Sequence, residues 1–175
     1  AVFEYISDER TPQGVIASVR IPANVIVRPH GRCILLDGLQ DPGNVGTIIR
    51  TANAAGYGQI YMINCADPFS PKCVRSSMSG VFFAEIMQGS AEEVLSALDG
   101  TPLVCADMNG ENAYTFRAPE KFCLCIGSEG SGLSSAVRGA AQFTVKIPMR
   151  PTCESLNAAV SAGILMYLLH GAERE

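Results

Sequence analysis

The chain has 175 residues, of which 47% are hydrophobic and 17% are charged. This length suits one compact domain, and so apolar a composition excludes intrinsic disorder because it can bury a large interior. Thirteen Lys and Arg against seventeen Asp and Glu give a net charge of −4. Bulk charge therefore does not indicate nucleic-acid binding, and any site for a polyanion must be local.

The sequence predicts neither a membrane span nor a secretory signal. The longest apolar stretch, 158–169, is interrupted by Ser161 and Gly163 and is shorter than the about 20 residues that a bilayer requires. The first ten residues carry acidic side chains and lack a basic stretch followed by an apolar one. We expect a cytoplasmic protein and, because the chain begins with Ala1, a processed product or a fragment of a longer protein.

Seven cysteines and two histidines limit the possible chemistry. The cysteines form no Cys-x-x-Cys pair, and most lie in or beside apolar runs, where free cysteine behaves as a small hydrophobic residue. We expect reduced, structural cysteines and no metal site. Neither His30 nor His170 has a Ser, Cys or Asp motif beside it, which disfavours a hydrolytic triad.

From residue 33 onward, short apolar runs alternate with helix-like segments, the pattern of βα units and a mainly parallel sheet. The predicted strands are 33–36, 59–63, 81–87, 103–106, 122–126 and 143–147. The predicted helices are 45–55, 71–78, 91–98, 134–140 and 154–170. Before residue 33, the segment 14–19 is compatible with an edge strand, and 21–31, with two prolines, is typical of a linker. The fold class is α/β, with about six strands and helices on both faces of the sheet.

The helix after the first strand carries the first candidate motif. It follows the turn Asp41-Pro42-Gly43, and a helical wheel places on one arc, which should pack on the sheet, Val45, Ile48, Ile49, Ala52 and Gly56. The opposite arc holds Asn44, Thr47, Arg50, Thr51 and Asn53. Arg50 is its only charge, so this arc is either a substrate-binding surface or an ordinary solvated helix face.

The second motif is Ile126-Gly127-Ser128-Glu129-Gly130-Ser131-Gly132-Leu133, at the end of the fifth strand. Its glycine spacing matches neither the dinucleotide fingerprint nor the P-loop. Glu129 would repel a phosphate held by backbone amides, so a neutral or cationic ligand without phosphate fits better. An ordinary glycine turn is the alternative.

The third motif runs from Ile147-Pro148-Met149 through a proline-rich bend to Glu154-Ser155-Leu156-Asn157. Thr152 or Ser155 is predicted to cap the last helix, which is apolar almost all round and must be buried in the core or against a partner chain. Ser155 and Asn157 near its start either satisfy the helix backbone or belong to a site.

In order and spacing, these three segments resemble the motifs of the SpoU family, the RNA ribose 2′-O-methyltransferases of the SPOUT superfamily. The resemblance covers residues from about 33 to 170 and implies a methyltransferase domain at 33–175, preceded by an extension or linker at 1–32. Thr11-Pro12-Gln13-Gly14 resembles the connector to an N-terminal RNA-binding domain in two-domain members. One departure is Pro151, preceded by Arg150, where the family motif has Gly. Because Pro cannot adopt positive φ, the bend must differ locally.

The resemblance also implies a C-terminal trefoil knot, whose loops bind S-adenosylmethionine, and a homodimer whose two subunits form the substrate groove. Only the resemblance supports a knot, because knots are very rare among folds. The implied cofactor-binding residues are Gly127, Glu129, Gly130, Ile147, Met149, Ser155 and Leu156. The implied catalytic residues are Arg50, Asn44, Ser155, Asn157 and Glu129.

The resemblance implies methyl transfer to a ribose hydroxyl of tRNA or rRNA. A guanidinium has no acceptor site, so we expect Arg50 to bind a substrate phosphate and the developing alkoxide rather than to remove a proton. Asn44, Ser155 and Asn157 are expected to position the ribose and the cofactor, and Glu129 to organise its loop.

Two other functions stay open from the sequence. A non-catalytic RNA-binding or assembly dimer would keep the fold without turnover, and a nucleotide-dependent oxidoreductase is disfavoured by the missing fingerprint. The acidic net charge predicts weak RNA binding by the domain alone, unless a basic domain contributes or several arginines cluster. Those arginines are Arg28, Arg32, Arg50, Arg75 and Arg150.

Overall fold

The structure, a computed structural model, describes Tyr5 and residues 14–169. Within the described residues, one sheet contains six strands that all pair in parallel, in the order β3-β2-β1-β5-β4-β6. The strands are β1 (Cys33–Asp37), β2 (Gln59–Ile63), β3 (Glu85–Gly89), β4 (Leu103–Asn112), β5 (Cys123–Gly127) and β6 (Phe143–Lys146). The helices are α1 (Pro42–Ala54), α2 (Pro71–Ser76), α3 (Ala91–Ala97), α4 (Ser135–Ala140) and α5 (Ala158–Leu168). The predicted α/β class is confirmed.

Helices cover both faces of the sheet, as predicted. Alternate residues of a strand point to opposite faces, so Ile34 and Leu36 of β1 face one core and Cys33 and Leu35 face the other. The first core is closed by residues of α1, α2 and α5, and the second by residues of α3 and α4. β1 and β2 are buried along their whole length, which explains why they are continuous apolar runs.

The third predicted strand was wrong in its first half. Met78 and Ser79 adopt φ of 46° and 73°, and the turn they form leads into a 3₁₀ helix at Gly80–Phe82 before β3 begins at Glu85. Gly80 lies against α1, where a Cβ would be 3.2 Å from the Cα of Arg50. An apolar run alone does not separate a strand from a short helix.

The segment before β1 forms neither helix nor strand between residues 14 and 32, so the edge strand considered for 14–19 is absent there. The side chain of Asn24 instead meets the outer edge of β3, donating to the carbonyl oxygen of Gln88 and accepting from its backbone N–H. Thr11, Pro12 and Gln13 lie outside the described residues. β4 extends six residues beyond its predicted end, and its pairing with β6 contains a bulge. The second half of this strand is polar, so the apolar pattern of the sequence did not predict it.

The last helix begins at Ala158, four residues later than predicted, and its cap is Asn157 rather than Thr152 or Ser155. Asn157 Oδ1 accepts from the backbone N–H groups of Ala159 and Val160, at 3.0 and 3.2 Å. Residues 147–157 therefore form an irregular connection between β6 and α5. His170, the predicted end of this helix, lies outside the described residues. None of the described helices has the length and apolarity needed to span a membrane.

Close packing of α1 on α2 gives a stability prediction. A Cβ on Gly46 would lie 2.6 Å from Ser76 Cβ and closer still to the Cys73 carbonyl oxygen. Gly46→Ala should therefore lower the free energy of unfolding by about 1–3 kcal/mol, because the two helices must move apart. Gly139→Ala is the control, since it lies in α4 with no atom within 4 Å of its Cβ position and should stabilise by up to about 1 kcal/mol. Urea denaturation of both variants checks this, and equal effects would contradict the packing.

Candidate active site

The strand order places a crevice between β1 and β5. From β1 the chain continues to β2 and β3 on one side, while β4 and β6 lie on the other side, beyond β5. The loop after β1 leads to α1 on one face, and the loop after β5 leads to α4 on the opposite face. In open parallel sheets, ligands bind at this kind of switch point, outside the carboxyl ends of the strands.

The glycine loop after β5 is folded tightly on itself. Ser128 and Gly132 exchange two backbone hydrogen bonds, of 3.1 and 2.9 Å, and their hairpin encloses Glu129, Gly130 and Ser131. Gly127 must be glycine, because a Cβ there would lie 2.5 Å from the carbonyl oxygen of Gly132. The backbone conformation of this loop is thus fixed by hydrogen bonds and by close packing at Gly127.

One carboxylate oxygen of this loop joins the first and third motifs. Glu129 Oε1 accepts from Asn44 Nδ2 at 2.9 Å, from Asn157 Nδ2 at 3.0 Å and from the backbone N–H of Ala158 at 3.2 Å. Asn157 Nδ2 also donates to Asn44 Oδ1 at 3.0 Å. The structure therefore brings together three predicted site residues that are up to 113 positions apart, and we call them the Asn–Glu–Asn network.

A cavity of about 550 Å³ opens beside this network. Its walls come from the middle of β4, the carboxyl ends of β5 and β6, the glycine loop, the 147–157 connection and α5. All of the residues predicted to bind a cofactor line it: Gly127, Glu129, Gly130, Ile147, Met149, Ser155 and Leu156. The structure places these residues around one space, and their role in binding stays a prediction.

Arg50 lies apart from the cavity. It is exposed on α1, six residues after Asn44, which is about 9 Å along the helix axis and about 120° around it. Its side chain makes no hydrogen bond or ion pair to the described residues, and its backbone packs against Gly80. The two threonines of the same arc, Thr47 and Thr51, return their hydroxyls to carbonyl oxygens of the helix. Arg50 is thus the charged group on this arc that remains available to an anion.

Charged residues around the site were missed from the sequence, among them Asp37, Asp107, Arg138 and Lys146. Asp37, at the end of β1, is only 5% exposed and accepts from the backbone N–H of Ser134 at 2.7 Å, which fixes the exit of the glycine loop. Asp107 and Arg138 line the cavity from β4 and from α4. An acidic residue directly after an apolar strand was a usable signal for Asp37 and for Asp107, whereas Arg138 had none.

The bend at Pro151 is an ordinary turn. The backbone N–H of Cys153 donates to the carbonyl oxygen of Arg150 at 2.9 Å, which places Pro151 at the second position of a four-residue turn, where its fixed φ is favoured. A proline here therefore needs no positive φ, and the cavity-lining residues Met149 and Ser155 lie on either side of the turn.

The start of α1 is held by a charge pair. Asp41 caps the helix through the backbone N–H of Gly43, and its carboxylate accepts from the ammonium of Lys72. The Lys72 ammonium and this backbone N–H hold the pKa of the Asp41 carboxyl below its usual range. The pair lies at the surface, where it stabilises little, but it links the turn that precedes Asn44 to α2.

Comparisons with known proteins address the whole domain. The model of the SpoU rRNA Methylase family matches residues 31–167. A Bacillus subtilis (strain 168) protein named 23S rRNA (guanosine(2553)-2′-O)-methyltransferase RlmP is 32% identical over 173 residues, which cover 97% of this chain and 69% of that protein. The Streptomyces viridochromogenes 23S rRNA (uridine(2479)-2′-O)-methyltransferase is 36% identical over 170 residues, covering 89% of this chain and 59% of that protein.

A solved structure gives the same relationship in three dimensions. The SpoU methyltransferase AviRb from Streptomyces viridochromogenes, in complex with the cofactor AdoMet, aligns with a TM-score of 0.78 at 32% identity. The alignment covers 86% of this chain and 62% of that chain. The chain therefore spans about six to seven tenths of the length of these relatives.

The cap of α5 can be tested directly. Asn157→Ala should lower the free energy of unfolding by about 1–2 kcal/mol, because the first turn of α5 loses its side-chain acceptor and the network loses a donor. Ser155→Ala should change it by less than about 0.5 kcal/mol, since the structure gives the serine hydroxyl no capping role. Chemical denaturation measures both. If Ser155→Ala lowered the free energy of unfolding as much as Asn157→Ala, Ser155 rather than Asn157 would be the helix cap.

Proposed function

Because this chain belongs to the SpoU rRNA methylase family, we propose that it transfers a methyl group from S-adenosylmethionine to a ribose 2′-hydroxyl of RNA. The family predicted from the three motifs is confirmed by the match over residues 31–167. The observation that carries the proposed activity is that the Asn–Glu–Asn network lies, through Glu129, beside a cavity lined by every predicted cofactor-binding residue.

The residues present fit this cofactor. Ile126, Ile147, Met149 and Leu156 give the cavity apolar surface that suits a purine ring. The glycine loop carries the carboxylate of Glu129 and has no Gly-Lys-Ser/Thr sequence, which suits a cationic ligand better than a phosphate. Gly127, Gly130 and Ser155 would hold the ligand together with these side chains. When bound, S-adenosylmethionine supplies an electrophilic methyl group on a sulfonium centre.

In this proposal, Glu129 organises the site rather than removing the proton of the ribose hydroxyl. Its Oε1 already accepts three hydrogen bonds, two from asparagine side chains and one from the start of α5. The network fixes Asn44 and Asn157 at the cavity edge, where they and Ser155 position the ribose. Held in this way, the polar groups need no rearrangement when the substrate binds.

Arg50 binds a substrate phosphate and stabilises the negative charge that develops on the ribose oxygen. The planar guanidinium offers five donors and no acceptor, so it can hold anionic oxygens but cannot act as a base. Arg50 does not line the cavity, so in this proposal its guanidinium meets the ribose oxygen at the cavity edge, in a groove to which both subunits of a dimer contribute. In such a groove an extended RNA segment contacts Arg50 as well as the cavity edge.

The proposal includes the homodimer and the C-terminal trefoil knot. The dimer is supported by α5, which buries Ala158, Ala162 and Leu165 yet leaves Val160 50% exposed and Tyr167 61% exposed. The knot is supported by family membership and by the 147–157 connection, which lines the cavity together with the glycine loop. In this arrangement the connection threads beneath a preceding loop, and α5 follows it.

RNA affinity is proposed to come largely from outside this domain. Arg28 and Arg32 precede β1 and lie at the amino edge of the sheet, whereas Arg150 lies in the 147–157 connection at the carboxyl edge. These three of the five arginines considered from the sequence therefore do not gather in one groove of a single subunit. We propose that residues 1–32 connect to an RNA-binding domain and that the protein acts in the cytoplasm on tRNA or rRNA.

Arg50 provides the sharpest test of the activity. Arg50→Ala should lower turnover by at least about a hundredfold, because it deletes a preorganised charge-stabilising donor, while folding and cofactor affinity stay close to wild type. Arg50→Lys should restore only a small part of the lost turnover, since lysine keeps the charge but lacks the planar guanidinium group. Asn53→Ala, also exposed on α1, is the control and should be neutral.

The measurement is single-turnover methyl transfer to bulk RNA at saturating S-adenosylmethionine. Wild-type turnover for Arg50→Ala would remove Arg50 from the mechanism. If the wild-type protein binds cofactor and RNA but transfers no methyl groups, the result would favour the alternative function, a non-catalytic RNA-binding dimer.

The dimer is tested in solution. Light scattering at micromolar concentration should give twice the mass of one chain, and Val160→Glu should shift the protein toward monomer, because a charge on this apolar face opposes its burial. Ser96→Glu, which adds the same charge at an exposed position of α3 on the other face of the sheet, should remain dimeric. A stable wild-type monomer would contradict the proposal.

A further inference from the structure

An exposed apolar patch lies on the segment that packs against α1 at Arg50, and the proposed mechanism does not use it. The patch consists of Met78, Phe82 and Phe83, which are 66%, 64% and 70% exposed, and we call it the phenylalanine patch. Phenylalanine is among the residues most often buried, and exposed apolar patches mark interaction surfaces. Two adjacent phenylalanines left in water are therefore a candidate binding surface.

The segment that carries the patch is fixed on α1. Gly80 lies against this helix, where a Cβ would be 3.2 Å from the Cα of Arg50, and Val81 is buried in the first core. The backbone N–H of Phe83 donates to the carbonyl oxygen of Gly80 at 3.1 Å. Because Phe82 and Phe83 follow Gly80 by only two and three residues, the patch and Arg50 are neighbours on one surface.

The segments that form this surface are rich in positive charge, although the chain as a whole carries a net charge of −4. Neither α1 nor the segment 71–84 contains an Asp or a Glu. Their cations are Arg50, Lys72 and Arg75. Arg50 lies on the helix that Gly80 contacts, and Arg75 precedes the turn that leads to the patch. The sequence requires any polyanion site to be local, and these segments provide such a region.

The acidic residues that directly border these segments each face a basic side chain. Asp41, which precedes α1, accepts from the ammonium of Lys72. Glu85, which follows the segment 71–84, has its Oε2 3.4 Å from Nε2 of His30. The surface around the patch therefore keeps a positive balance of charge even when its two acidic neighbours are counted.

We infer that the phenylalanine patch stacks a base of the RNA substrate whose phosphate is bound by Arg50. This inference rests on the proposed function. Single-stranded RNA fits a surface of this kind, because its bases stack on aromatic rings while arginines bind its phosphates. A second copy of the chain fits it less well. A two-fold interface brings the same patch of both subunits together, so the positive charges around the patch would face one another.

Two single-stranded probes separate stacking from charge. One is fluorescently labelled oligoadenylate, and the other is an abasic ribose-phosphate chain of equal length, which has the phosphates without the bases. Anisotropy at low salt should show that the wild-type protein binds oligoadenylate more tightly. The double variant Phe82→Ala/Phe83→Ala should weaken oligoadenylate by at least about tenfold, the scale of one lost base stack, and should leave the abasic chain within about twofold.

A tryptophan variant reports the contact directly. The chain contains no Trp, so Phe83→Trp introduces a single indole, which can still stack on a base. Its emission should be quenched by unlabelled oligoadenylate but not by the abasic chain. Tyr114→Ala removes an aromatic ring that is also 64% exposed but lies after β4, and as the matched control it should change the binding of neither probe.

Steady-state methyl transfer to bulk RNA completes the experiment. The double variant should raise KM for RNA at unchanged kcat, because stacking holds the substrate and the transition state equally. Equal weakening of both probes, or a Phe83→Trp emission that oligoadenylate does not change, would overturn the inference. A double variant that becomes monomeric in light scattering would overturn it in favour of a second copy on the patch. A wild-type protein that transfers no methyl group to RNA would instead overturn the proposed function, whatever the probes show.

Discussion

Glu129 Oε1 accepts hydrogen bonds from Asn44, Asn157 and the backbone of Ala158, and the geometry of the site depends on these three contacts. They connect the start of α1, the glycine loop and the start of α5, which leave the sheet at different points along the chain. An anionic acceptor is favoured at this place, because the N–H groups and the dipole of α5 point toward it. The carboxylate that disfavours a phosphate in the loop is the same group that fixes the helix beside it.

The sequence predicted the sheet better than it predicted the connections. Buried parallel strands such as β1 and β2 must be apolar on both faces, so they are visible as continuous runs. The start of α5 was misplaced because Glu154 to Leu156 have side chains compatible with a helix. The actual start is capped by Asn157, whose side chain is held by Glu129, a residue 28 positions away that no local pattern contains. Met78 and Ser79 were missed for a related reason, since non-glycine residues rarely adopt positive φ.

The site was predictable only in part. The three motifs identified the residues that surround the cavity, and the structure brings Asn44, Glu129 and Asn157 into direct contact. Asp37, Asp107 and Arg138 were not identified, because the local signal for the two aspartates is only their position directly after an apolar run, and Arg138 has no local signal. Their positions become meaningful only when β1, β4 and α4 are brought to one edge of the sheet.

Asn157 links the stability of the fold to the shape of the site. Its Oδ1 satisfies two backbone N–H groups at the start of α5, while its Nδ2 donates to both Glu129 and Asn44. An aspartate could cap the helix equally well, but it would place a second carboxylate against Glu129 and lose both donated bonds. A serine could cap it too, but its shorter side chain has one hydroxyl in place of a separate acceptor and donor. Asparagine is therefore the side chain that meets both requirements at this position. One side-chain conformation of Asn157 fixes both the start of α5 and the edge of the cavity.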